Sequence, residues 1–291
     1  MNNRNRIRVA IATAIGAAVL LPLVAQAHRG WMLPSSTVVS GNKAWVTIDA
    51  AVSNDLFYFD HNPMRLDNLK VFAPDGSAVE AKNVATGKYR STFDVQIDKP
   101  GTYRISMLND TANASFKVGD EVKRVRGTLE SIRKEVPADA KELSVGRNQS
   151  RIDVFVTSGK PTDTVLKPTG AGLELVTYTH PNDLVAGEKA SFGFVLNGKP
   201  VAGVPVTVIP GGIRYRDQLG EIKAVTGSDG KFSITWPEAG MYWMNASYPP
   251  RDGDDDEAPP STPPRREPTG GTFDAPSGRA QYTATLEVLA P

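Results

Sequence analysis

Asn197-Gly-Lys-Pro-Val-Ala-Gly-Val-Pro-Val-Thr-Val208, Thr226-Gly-Ser-Asp-Gly-Lys-Phe-Ser-Ile-Thr-Trp236 and Ala239-Gly-Met-Tyr-Trp-Met-Asn-Ala-Ser-Tyr248 follow one another in the second half of the chain. Each places a glycine-containing turn against a short run of β-branched and aromatic residues. Asp229-Gly230 closes the sharpest of these turns. Such runs are too short for helices and too regularly interrupted for a parallel sheet with crossover helices. They predict antiparallel strands. Working outward, Leu173–Thr179 and Ser191–Leu196 read as strands before this block, and Gln281–Leu289 as a final strand after it.

The spacing Gly-x-Pro-Val-x-Gly-x-x-Val-x-Val, then Asp-Gly-x-Phe, then Pro-x-x-Gly-x-Tyr resembles bacterial immunoglobulin-like and transthyretin-like modules over about residues 187–248. That resemblance implies a sandwich and is silent on chemistry. The first half repeats the pattern. Ala44–Val52, Leu69–Phe72, Tyr89–Ile97, Thr102–Leu108, Ala114–Val118 and Arg151–Thr157 read as strands, with turns at Pro74-Asp75-Gly76 and Lys99-Pro100-Gly101. Between them, Val122, Val125, Leu129 and Ile132 recur at spacings of three and four, which predicts a weak amphipathic helix or surface linker over Asp120–Glu135. The expected fold is therefore all-β: two β-sandwich domains, 28–160 and 161–291, joined by a short helical or irregular linker. A mobile acidic, proline-rich loop is expected over 249–278, around Asp254-Asp-Asp-Glu257 and Pro263-Pro264.

Composition narrows the function. The 291 residues are 40% hydrophobic and 22% charged, the balance of a globular chain. Lys and Arg number 33 against 32 Asp and Glu, a net charge of +1, which argues against a nucleic-acid partner. There is no cysteine, so disulfides, thiolate metal sites and cysteine nucleophiles are excluded. Imidazole chemistry has only His28, His61 and His180 to draw on. No G-x-S-x-G, H-E-x-x-H or P-loop motif is present.

Residues 1–27 read as a secretory signal peptide. Arg4, Arg6 and Arg8 precede an apolar stretch from Val9 to Val24, and Ala25-Gln-Ala27 forms the cleavage box. Export to the periplasm follows, with no membrane span left after cleavage. Cleavage after Ala27 would make His28 the first residue. A free α-amine titrates near roughly 8 and an imidazole near roughly 6.5, so both are available as neutral donors close to neutrality. The amine and Nδ1 of a terminal histidine chelate one ion. A second histidine completes a T-shaped, three-nitrogen set suited to Cu(II) or Ni(II).

His61 stands in Phe57-Tyr-Phe-Asp-His-Asn-Pro63 and His180 in Thr177-Tyr-Thr-His-Pro-Asn-Asp183, both near strand ends and close to a proline. Asp60 and Asp183 are placed to orient an imidazole from behind, or else to cap backbone N–H groups of their turns. His61 is the favoured partner of His28, because it shares the first domain. His180 would join if the domain seam faced residue 28.

His28-Arg-Gly-Trp-Met-Leu-Pro-Ser35, Asn54-Asp-Leu-Phe-Tyr-Phe-Asp-His-Asn-Pro63 and Leu173-Glu-Leu-Val-Thr-Tyr-Thr-His-Pro-Asn-Asp-Leu-Val-Ala-Gly-Glu188 resemble an exported bacterial family. That family is catalogued as a domain of unknown function and described as similar to periplasmic components of nickel or cobalt uptake. The resemblance implies a periplasmic location, a β-rich fold and a metal theme. The expected function is binding of one Cu(II) or Ni(II) ion for delivery, buffering or sensing, beside a membrane importer or outer-membrane receptor. The alternatives are a non-catalytic immunoglobulin-like adhesion or scaffold module, and a copper-dependent oxidative enzyme.

Overall fold

The computed structural model of the chain describes residues 28–41, 43–250 and 270–291. The expected leader and the acidic, proline-rich core of the expected loop lie outside the described residues. Three sheets form the described fold. The first runs β1 (Arg29–Pro34), β3 (Ala44–Ser53), β8 (Ser91–Ile97), β7 (Lys82–Thr86), with β4 (Asn62–Pro63) added to β3. The second runs β16 (Ile222–Val225), β15 (Pro205–Pro210), β18 (Gly240–Tyr248), β19 (Ser277–Val288), β11 (Lys141–Ser158), β9 (Gly101–Val118), β5 (Leu69–Phe72), β6 (Ala78–Val79). In it, β10 (Glu121–Gly127) adds to β9 and β2 (Val38–Val39) to β11. The third runs β12 (Leu173–Thr177), β13 (Lys189–Leu196), β14 (Lys199–Pro200), with β17 (Lys231–Thr235) on the other side of β13.

Two sandwich cores result, and they share the ten-stranded sheet. Met32, Ile48, Phe93, Val95, Tyr103, Ile105, Val154 and Val156 pack between the first sheet and the β5–β9–β11 part of the second. Phe192, Phe194, Val206, Trp236, Tyr242, Met244, Tyr282 and Leu286 pack between the third sheet and the β15–β18–β19 part. In register, Val154 is opposite Thr285 and Asp153 opposite Ala284. Partners in register project to the same face. Val154 belongs to the first core and Ala284 to the second. The two cores therefore lie on opposite faces of one sheet.

The expected boundary near residue 160 is crossed by hydrogen-bonded sheet: β19, from the C-terminal end, pairs in parallel with β11 from Gly146 to Val154. A buried ion pair reinforces the seam. The Arg151 guanidinium on β11 lies 3.0 Å from the Glu174 carboxylate on β12, and both side chains are buried. Burial alone would push the Glu174 carboxyl up. Hydrogen bonds from Thr169, together with the Arg151 charge and the Gly170 N–H, hold it below the ordinary carboxylate range.

Three local expectations are corrected. The helix expected over Asp120–Glu135 is α1 only from Leu129 to Glu135, capped by Thr128. Its first part is β10, an exposed hairpin strand paired with β9 from Glu121 to Gly127. The two strands expected at 102–108 and 114–118 are one 18-residue strand, since β11 pairs with β9 through the polar stretch between them. There the Arg147 guanidinium donates to the Asp110 carboxylate. Finally, the expected loop 249–278 ends early. Val145 N–H bonds Gly271 O at 2.8 Å, Phe273 packs beside α1 and β19 starts at Ser277. Among the described residues no helix is long and apolar enough to cross a membrane.

Candidate metal centre

Strand β3 brings two of the three histidines together. Arg29 of β1 pairs with Ser53 at the end of β3, and Asn62 of β4 pairs with Val52. The residues immediately before these partners are His28 and His61. Both therefore reach the same end of β3. Their rings stack with centroids 3.8 Å apart and planes 6° from parallel. Among the described residues neither ring makes a hydrogen bond. The in-plane lone pairs of parallel rings do not converge on one point. One ring must turn for both to face a single ion. No group of three or more His, Cys, Asp or Glu side chains gathers for a metal among the described residues. A terminal amine at His28 would be the third donor.

The support beneath the pair is aromatic. Trp31 and Met32 of β1 are fully buried and point in opposite directions. Met32 enters the first core. Trp31 packs with Leu56, Ile209, Ile213 and Trp243 in a smaller cluster on the same face of the shared sheet. Trp31 Nε1 donates to Ser53 Oγ at 2.7 Å, and Trp243 Nε1 donates to the Gly30 carbonyl at 3.0 Å. Gly30 fits because a Cβ there would meet Ile152 Cδ1 at 3.3 Å and Met64 Cε at 3.5 Å. Thus β1 lies down on β11 and β19, with the Trp243 indole of β18 tied to it, and His28 extends from an anchored strand.

The loop 54–61 carries His61 over this cluster. Phe57, at φ 62 in the left-handed region, and Phe59 both turn inward onto the Trp31 ring, at 5.5 and 5.6 Å. Tyr58 turns outward under the Arg214 guanidinium, 4.0 Å from its ring. Asp60 does not hold an imidazole. Its carboxylate accepts from the N–H groups of Asn54, at 3.0 Å, and Asp55, at 3.4 Å, closing its own loop. Burial lowers the Arg29 guanidinium, with Glu221 and Asp55 pulling the other way.

His180 is elsewhere. Its Nε2 lies 3.0 Å from Thr102 Oγ1, and its Nδ1 accepts the Asn182 N–H at 3.1 Å. Thr102 pairs with Thr157 at the far end of the β9–β11 ladder. His28 is two residues from Gly30, which rests on Ile152. Five residues of strand, roughly 16 Å, separate Ile152 from Thr157. The two histidine positions thus lie at separate places along β11, one beside its middle and one at its C-terminal end. Burial pushes the His180 imidazole below its ordinary range, against the charges of Asp163 and Asp183. Asp183 donates its own N–H to the His180 carbonyl at 3.0 Å. Nothing in the sequence placed residues 102 and 157 beside 180. The only local signal was the run of threonines at strand ends.

No curated protein matches the chain. Among solved structures, the D0–D1 domain of intimin is similar at 12% identity, covering 88% of this chain and 97% of that one, with a TM-score of 0.21. A DUF4785 family protein from Legionella pneumophila is similar at 10% identity, covering 74% and 50%, with a TM-score of 0.21. The ICAM-5 D1–D4 ectodomain fragment is similar at 10% identity, covering 90% and 51%, with a TM-score of 0.19. The chain spans about half the length of the latter two. A family model described as a domain of unknown function, DUF4198, matches residues 25–249, well over half of the chain, and the protein belongs to that family.

Proposed function

We propose that the exported, processed chain binds one Cu(II) or Ni(II) ion through the amine and imidazole of His28 and the imidazole of His61. In this reading it is a periplasmic protein that delivers, buffers or senses the metal beside a membrane importer or outer-membrane receptor. The observation that carries the reading is the meeting of His28 and His61 at the end of β3. Two imidazoles without a hydrogen bond among the described residues, one of them on the residue that cleavage would expose, would supply the nitrogen donors that Cu(II) and Ni(II) favour. His180 is left out of the ligand set, because both its nitrogens are engaged within the fold.

The test is copper titration by calorimetry and EPR on protein whose N-terminus is confirmed as His28. One ion per chain is expected. His28→Ala and His61→Ala should each lose it, with affinity reduced on the order of a hundredfold or more, and His180→Ala should keep it. An added residue before His28 should weaken binding while leaving the fold intact. Equal binding by all three variants sinks the histidine site and leaves the adhesion or scaffold reading. Oxygen- or peroxide-dependent turnover by the copper-loaded protein would favour the oxidative enzyme instead.

A further inference from the structure

The hydrogen bonds around His180 close into a ring whose proton positions are determined. The Asn182 N–H can only donate, so Nδ1 is an acceptor and the proton sits on Nε2. Nε2–H then donates to Thr102 Oγ1, 3.0 Å away, which also accepts the Thr162 N–H at 3.0 Å. The Thr157 hydroxyl donates to Asn182 Oδ1 at 2.8 Å, so the Thr102 hydroxyl donates to Thr157. Asn182 Nδ2 donates to the Phe155 carbonyl at 3.0 Å. Thr102, Thr157 and Asn182 are buried, so none of these groups finds water as a substitute. Thr102, Thr157 and Phe155 belong to β9 and β11, in the first half of the chain. His180 and Asn182 lie on the turn after β12, in the second half. Thr162 lies on the connection between the halves.

We propose that this ring is an acid-sensitive latch between the two halves of the chain: neutral His180 holds the 178–183 turn on the ends of β9 and β11, and a proton on Nδ1 releases it. Protonated Nδ1 would point an N–H at the Asn182 N–H, and no rotation of the ring restores an acceptor there. The charged groups acting on the ring are Asp163, on the connection, and Asp183, on the turn itself. The strands beneath present hydroxyls. The two carboxylates favour the proton and burial opposes it, with burial the larger effect. The folded chain therefore binds this proton less readily than the unfolded chain. Stability from the ring is fully present above the ordinary imidazole range, near roughly pH 6.5, and is lost as pH falls below it.

Hydrogen exchange at pH 7.5 and 5.5, corrected for intrinsic rates, tests the latch on the full mature chain. In the wild type, protection across 155–163 and 178–184 should fall severalfold at the lower pH, the direction that the lowered His180 imidazole requires. His180→Gln replaces the Nε2–H donor and the Nδ1 acceptor with an amide that does not titrate. Its protection in the same segments should be level across this range. Equal losses in the wild type and His180→Gln overturn the latch. Should His180→Gln not fold, NMR of the wild type decides. The His180 ring and the Asn182 amide should titrate together, and an imidazole that titrates while the amide stays protected overturns the proposal.

Discussion

Two strand-end sites receive histidine chemistry, one at the end of β3 and one where β9 and β11 pair through Thr102 and Thr157, and they use it in opposite ways. At the first His28 and His61 rest against each other, with no hydrogen bond to either ring among the described residues. At the second His180 is built into a ring of buried hydroxyls and an amide. The flanking residues look alike in the sequence, Asp-His-Asn-Pro in one case and Thr-His-Pro-Asn-Asp in the other. The difference lies in what stands opposite. Among the described residues the end of β3 offers His61 another imidazole and no hydrogen-bond partner, whereas the ends of β9 and β11 offer His180 threonine hydroxyls. An imidazole with both nitrogens engaged helps to hold the fold. One with its nitrogens unengaged is able to ligate.

The deepest break removes what holds both sites on one frame. Arg151→Ala removes the counter-charge of the buried Glu174 carboxylate and should cost about 3 kcal/mol in denaturant unfolding. A value under about 1 kcal/mol would mean the seam does not depend on this pair. Next is the wired site alone. Asn182→Ala leaves the Thr157 hydroxyl proton without its acceptor and removes the amide that donates to the Phe155 carbonyl, and should cost about 1–3 kcal/mol, while copper binding is unchanged. A lost copper site in that variant would refute the independence of the two sites. Asp60→Ala frees the N–H groups of Asn54 and Asp55 and should cost about 1 kcal/mol. Copper affinity should drop with stoichiometry kept, read by calorimetry, because the loop carrying His61 loses its clasp. The smallest effect on stability belongs to His61→Ala, within about 0.5 kcal/mol, although it should abolish metal binding. A large destabilisation there would show the stacked pair to be structural.

Much of the fold was legible because a strand's period of two writes burial directly into sequence. Tyr242, Met244 and Ala246 face the second core as the alternation from Gly240 to Tyr248 requires, and Val46, Ile48 and Ala50 do the same in the first. Turns such as Asp229-Gly230 were equally readable, since Gly230 sits at φ 76. The 109–113 stretch of β9 was not, because Asn and Asp signal a turn unless a partner strand spans them. That partner, β11, comes from a distant segment. The start of α1 was obscured for a related reason: Val122 and Val125 fit a helical spacing, and only pairing with β9 assigns them to a strand.

By itself the sequence determined an all-β chain with turns at identifiable glycines, an absence of thiol chemistry and three histidines as the whole supply of imidazole. Local sterics and side-chain alternation act over a few residues, so they survive without knowledge of the fold. Tertiary structure alone decided that one sheet serves two cores on opposite faces, that His61 rather than His180 meets His28, and that Asp60 is used up on its own loop. Those outcomes depend on register between strands far apart in the chain. A one-residue slip in β3 or β11 would turn the same side chains to the other face.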